Sequence, residues 1–303
     1  MRKVLAYGPP VVVSMVLTFV VGTVLSATVG LALFVGGLAT MVVLRLGAGE
    51  GPAVRILFRA RDLSSAEPAA LAPAVALLCQ HRVPMGALRP RVRDGAVPIA
   101  AGGAGRRTVV VSAGLVAAVR DRQLPVDQAA AVVGHAAGVV LSGAVRSDPA
   151  LDLWTLPWQA LRGLAQSLSR AFRWLPLVRW AWKCRLFLAA IAAAQAGAAH
   201  QWLVAVVITL VGALSYLVGL WERAWAAAIR ELGDEPVRQA GLAEALSRFL
   251  LRCSSPPEVH ERVHALTGHA ERPQIALEAF RRSTVSRGSS RSCRASAARP
   301  VPN

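Results

Sequence analysis

Asp127–Val145 reads DQAAAVVGHAAGVVLSGAV. The stretch is apolar, free of Pro and long enough for a buried helix. Asp127 suits its N-cap. His135, one of six histidines in the chain, sits near its centre. Ala136, Ala137, Gly138 and Val139 follow it. A single His on such a helix is usually a hydrogen-bonded core residue. Whether it does more depends on what the rest of the chain brings to it.

The composition is that of a membrane protein. Of 303 residues, 54% are hydrophobic, and the mean hydropathy is +0.47. The net charge is +17, carried almost wholly by arginine, since lysine occurs only at Lys3 and Lys183. Such a charge could serve nucleic acid. Here the arginines flank apolar runs, as the positive-inside rule expects, so no nucleic-acid partner is predicted. Cys79, Cys184, Cys253 and Cys293 lie far apart and form no C-x-x-C pair. They predict neither a disulfide framework nor a zinc ribbon.

Val4–Leu44 contains no charged residue. It is about twice the length that crosses a bilayer as helix. A hairpin with its turn near Ser26–Gly30 is expected, both ends being cytoplasmic because Arg2, Lys3, Arg45, Arg55, Arg59 and Arg61 flank it. Leu186–Trp221 is likewise uncharged. Two short crossings turning near Ala196–Gln201 are expected there, with one long tilted helix as the alternative. Between these runs, Trp154, Trp158, Trp174, Trp180 and Trp182 alternate with Arg162, Arg170, Arg173, Arg179 and Lys183. That mixture suits a segment at the membrane interface.

The intervening chain predicts a small mixed domain. Arg61–Val83 reads as an amphipathic helix with Leu71, Val75, Leu78 and Cys79 on one face. Arg91–Ala100 reads as a strand, with Val92, Val97 and Ile99 inward. Gly102, Gly103 and Gly105 read as a turn, and Thr108–Ser112 as a β-branched strand. Helices are expected over Ala113–Arg122, Trp221–Leu232 with Gly233 as its stop, Gly241–Arg252, and Glu258–Leu266 opened by Pro256 and Pro257. From Arg281 the tail is rich in Ser and Arg, has no acid, and is expected to be disordered.

Taken in order, these features resemble the HtpX-like membrane zinc metallopeptidases over roughly residues 1–270. The His135 helix resembles the one carrying His-Glu-x-x-His, in which two His on one face bind zinc and the Glu activates water. Arg106–Val119 (RRTVVVSAGLVAAV) precedes it, as in that family, and an apolar hairpin follows. Trp221–Gly233 is similar to the family's Arg-Glu-x-x-Ala-Asp pattern. The match puts Glu222 at the third ligand position and Ala226 at the Asp. Ser254–Leu266 (SSPPEVHERVHAL) is similar to its His-Pro-Pro motif, with Ser255 for the His and Arg262 for the downstream Arg.

The resemblance implies an α-rich α+β integral membrane protein: a zinc-metallopeptidase-like domain with two transmembrane helical hairpins. Its expected parts are a hairpin at 1–46, first domain part at 47–182, second hairpin at 183–221, second domain part at 222–280 and basic tail at 281–303. The departures imply lost catalysis. Ala136 replaces the general base and Val139 the second zinc His, leaving His135 and Glu222 as remnant ligand positions. Pro98–Gly102 keeps only the small residues of the family's substrate-aligning edge strand. The expectation is therefore a multi-pass cell-membrane pseudo-peptidase, its domain and termini cytoplasmic, without bound zinc, holding a protein or peptide partner. The alternative is a zinc endopeptidase with an unconventional third ligand. His260 and His264, four apart on one helix, are the candidates for that ligand if the helix folds over His135; a solvated helix face is the plainer reading. For Glu222 the plainer reading is an ion pair with an Arg such as Arg223.

Overall fold

The structure is a computed structural model and describes residues 1–95, 99–171, 184–253 and 257–268. It is helix-rich with one small sheet, and the chain divides into two units. The first comprises Met1–Ala48 and Ala150–Ala228, the second Gly49–Pro149 and the chain from Ile229.

In the first unit, α1 (Arg2–Leu25) and α2 (Ala27–Leu46) form the expected hairpin. Only Ser26 separates them. It is extended, and its hydroxyl accepts from Val29 N as the cap of α2. The arms meet at glycine: a Cβ on Gly22 would lie 2.5 Å from Gly30 Cα. Then come α7 (Asp148–Trp154) and α8 (Leu156–Ala171). Trp154 lies edge-on to Phe34 of α2, and Trp158 N donates to the buried Ser14 Oγ of α1. On α8, Leu161, Leu164 and Leu168 form an exposed stripe while Gln159, Arg162, Gln166 and Arg170 occupy the other side. Trp174, Trp180, Trp182, Arg173, Arg179 and Lys183 lie outside the described residues.

The second apolar run breaks where expected. α9 (Arg185–Ala198) and α10 (Trp202–Gln239) flank a turn in which His200 has φ 58°. Among the described residues, α1, α2 and α10 are long and apolar enough to cross a membrane. At 14 residues α9 is about 21 Å long, short of the roughly 30 Å hydrocarbon layer. The helix expected to stop at Gly233 continues to Gln239.

The second unit is a four-stranded sheet packed on helices. Its strands are β1 (Ala60–Arg61), β2 (Arg89–Arg93), β3 (Ala101–Ala104) and β4 (Thr108–Ser112), in the order β1-β2-β4-β3. Only β2 and β4 are parallel. Central β4 is buried throughout because both faces are covered. Val109 and Val111 join the main core with α4 (Glu67–Gln80), α5 (Ala113–Arg120) and α6 (Val126–Leu141). Val110 packs on the other side with Val54 of α3 (Glu50–Phe58), Ala60 and Ala104. α11 (Ala243–Cys253) and α12 (Pro257–Gly268) complete the unit.

Several local expectations change. The helix read from Arg61 begins only at Glu67, with Pro68 in its first turn, where the missing N–H costs nothing. Arg61 is in β1 and turns back to bind Glu67 through both oxygens. The strand read over Arg91–Ala100 ends at Arg93; Val97 lies outside the described residues, and Ile99 lies against the core. Gly102 and Gly103 form strand β3 rather than a turn, which comes at Gly105 with φ 66°. Gly103 is needed for contact: its Cβ would lie 2.7 Å from Val140 of α6 and 3.0 Å from the Ala136 oxygen. The N-cap of α6 is Pro125, so Asp127 lies in the first turn, where it pairs with Arg248.

Candidate functional site at His135

α6 is buried along nearly its whole length. Ala136 is 0% exposed and Val139 3%. His135 is the one side chain of its middle that reaches other ionisable groups. Its Nδ1 stands 2.8 Å from Asp234 Oδ1 on α10. Arg262 on α12 clamps the same carboxylate, Nη2 to Oδ1 at 2.6 Å and Nε to Oδ2 at 3.0 Å. The carboxylate fixes the direction of this bond: Nδ1–H donates to Asp234, and Nε2 is the ring nitrogen left outside it. Arg262 Nη2 approaches Nδ1 at 3.3 Å and is then a packing contact.

The local sequence permits this. Gly233 precedes Asp234, and a Cβ there would lie 2.4 Å from His135 Cε1 and 2.8 Å from Val139 Cγ2. The glycine read as a helix stop is instead the space that the imidazole occupies. The charged part of α10, from Glu222 on, lies beyond its apolar span. Burial pushes the Asp234 carboxyl up, but hydrogen bonds from His135 and Arg262 and the Arg262 charge outweigh it, holding the group below its ordinary value.

Glu222, the other position that the resemblance marks for a ligand, belongs to the first unit. It pairs there with Arg162 of α8 at 2.5 Å, rather than with Arg223. α12 does come to His135, but the side chain it presents is Arg262. His260 and His264, two residues to either side, are exposed. Pro98 lies outside the described residues; the small residues after it lead into β3, at the edge of the sheet and packed on α6.

A His whose Nδ1–H is held by a carboxylate is oriented to offer Nε2 to a metal or a proton. That orienting support is present. The ligands around it are not: catalytic zinc takes about three protein donors, and no group of three or more His, Cys, Asp and Glu that could hold a metal occurs among the described residues. The donor set at His135 does not fit zinc. Asp234 was not singled out by sequence reading; Arg262 was, through the Pro-Pro segment.

Neither a family model, a curated protein nor a solved structure matches this chain.

Proposed function

We propose that this is a multi-pass membrane protein of HtpX-like ancestry that has lost peptidase chemistry and uses the remaining scaffold to hold a protein or peptide partner. The observation that carries the reading is the closed state of α6. The positions where the family pattern needs a Glu and a second His are Ala136 and Val139, both sealed in the core. The groups that would orient the first His survive as Asp234 and Arg262. Support without ligands is what decay from a metal site would leave. Reading Asp234 as the Asp of the Arg-Glu-x-x-Ala-Asp pattern moves the third ligand position from Glu222 to Arg230, which cannot bind zinc. On this reading Arg2, Lys3 and the arginines after α2 set the hairpin ends, and with them the second unit, on the cytoplasmic side. The edge strand β3 is the surface to which an extended partner would add.

Metal analysis of the full-length protein in detergent, beside His135→Ala, tests the loss of chemistry. No zinc above background in either protein is expected. One zinc per chain, absent from His135→Ala and accompanied by zinc-dependent cleavage of an unfolded protein, would overturn the reading.

A further inference from the structure

The first unit contains a cavity of about 230 Å³. Its walls include Tyr7 of α1, Trp158 and Arg162 of α8, and Glu222 and Trp225 of α10. Lys3 Nζ stands 5.5 Å from the centre of the Trp225 ring. We infer that this cavity binds the headgroup of a zwitterionic aminophospholipid, a phosphate ester joined to a primary ammonium.

The wall carries both signs of charge. Arg162 and Glu222 form the ion pair across it, with side chains 46% and 32% exposed. Such a pair is weakly held and opens readily. A purely anionic headgroup entering here would face the Glu222 carboxylate, and a purely cationic one would face Arg162. A zwitterion satisfies each: phosphate oxygens take the Arg162 fork, and an ammonium donates to Glu222. The Trp225 face already accommodates the Lys3 ammonium, so it is a surface on which a cation rests. Trp158 Nε1 is buried with no hydrogen-bond partner among the described residues, and a phosphate oxygen is an acceptor for it. The volume is below the roughly 300–1,000 Å³ of sites that enclose whole ligands, and suits a headgroup whose chains remain outside.

The lipid source follows from position. The cavity lies at the Arg2–Lys3 end of α1, where charge gives way to the apolar run, which is headgroup depth. Beyond it α1 exposes Val12 and Val16, a surface for acyl chains. The inference rests on α1 being a membrane span.

The full-length protein would be reconstituted with equal parts of phosphatidylethanolamine, phosphatidylcholine and phosphatidylglycerol, re-extracted in mild detergent, and its retained lipid measured by mass spectrometry. Phosphatidylethanolamine is expected to be retained at roughly fivefold the amount of either other lipid. Glu222→Gln is expected to return the ratio to that of the mixture. Arg162→Ala is expected to lose the retained lipid. Helicity and elution volume of both variants should match wild type. Retention of all three lipids at the input ratio, or a preference unchanged in Glu222→Gln, overturns the inference. If water-soluble glycerophosphoethanolamine binds the lipid-free protein as tightly as the lipid does, the site serves a free ester and the lipid assignment falls. A chain that stays in solution without detergent and carries no lipid of any kind overturns the membrane span itself, a different failure.

Discussion

α10 carries two paired carboxylates twelve residues apart, Glu222 and Asp234. Their closest contacts are alike: 2.5 Å to Arg162 and 2.6 Å to Arg262. Their surroundings differ. The Glu222 side chain is 32% exposed and that of Asp234 8%. Water competes for the first pair and is kept from the second, so similar bond lengths describe unequal dependence on the partner. The first can open for a ligand, whereas the second is part of the fold.

The largest test of this contrast is Asp234→Ala. It leaves Arg262 and His135 without their shared acceptor, and a loss of about 3–5 kcal/mol is expected, read as a lower unfolding midpoint in detergent. If the loss is no larger than that of Glu222→Gln, burial does not separate the pairs. Next comes Gly233→Ala, whose methyl group displaces the His135 ring. About 1–3 kcal/mol is expected, with the His135 imidazole NMR signals shifted. Unchanged signals would mean that the ring does not lie against Gly233.

Acid sharpens the comparison through a third carboxylate. Hydrogen bonds from Arg61 hold Glu67 down to about 2 from 4.5, against a desolvation that raises it. Its folded value lies below its unfolded one, so its contribution is full above about pH 4.5 and is lost as pH falls towards 2. Asp234, also depressed, acts in the same direction. Stability is expected to fall through this window, and Glu67→Gln, costing about 1 kcal/mol at pH 7, should flatten the fall. An equally steep fall in the variant would assign the acid sensitivity elsewhere. The smallest effect is expected from Glu222→Gln, within about 1 kcal/mol by the same unfolding assay. A greater loss would make that pair structural.

Helices were most legible where apolar spacing is long and uninterrupted. The α1–α2 hairpin, the α6 helix and the break before Trp202 follow from charge-free runs and turn residues. Glycine was the weak point. Gly102 and Gly103 looked like a turn and Gly233 like a stop, because a local reading assigns glycine to backbone freedom. At Gly103 and Gly233 it serves contact with α6, which depends on residues far away in the chain. The same distance hid Asp234: nothing within ten residues of it is histidine, and its partners come from α6 and α12. Arg262 was found through its motif, but its partner could not be read from spacing.

The closed packing around α6 also bears on which substitutions the helix admits. Ala136→Glu would set a carboxylate in a space with no exposure, and Val139→His would press a ring against Gly103 and Gly233. Each step alone buries a polar group without a partner. Several neighbouring residues would have to change before either side chain became tolerable. The packing thus ties these two positions to their neighbours, so that a polar side chain enters this helix only by concerted change and not by a single substitution.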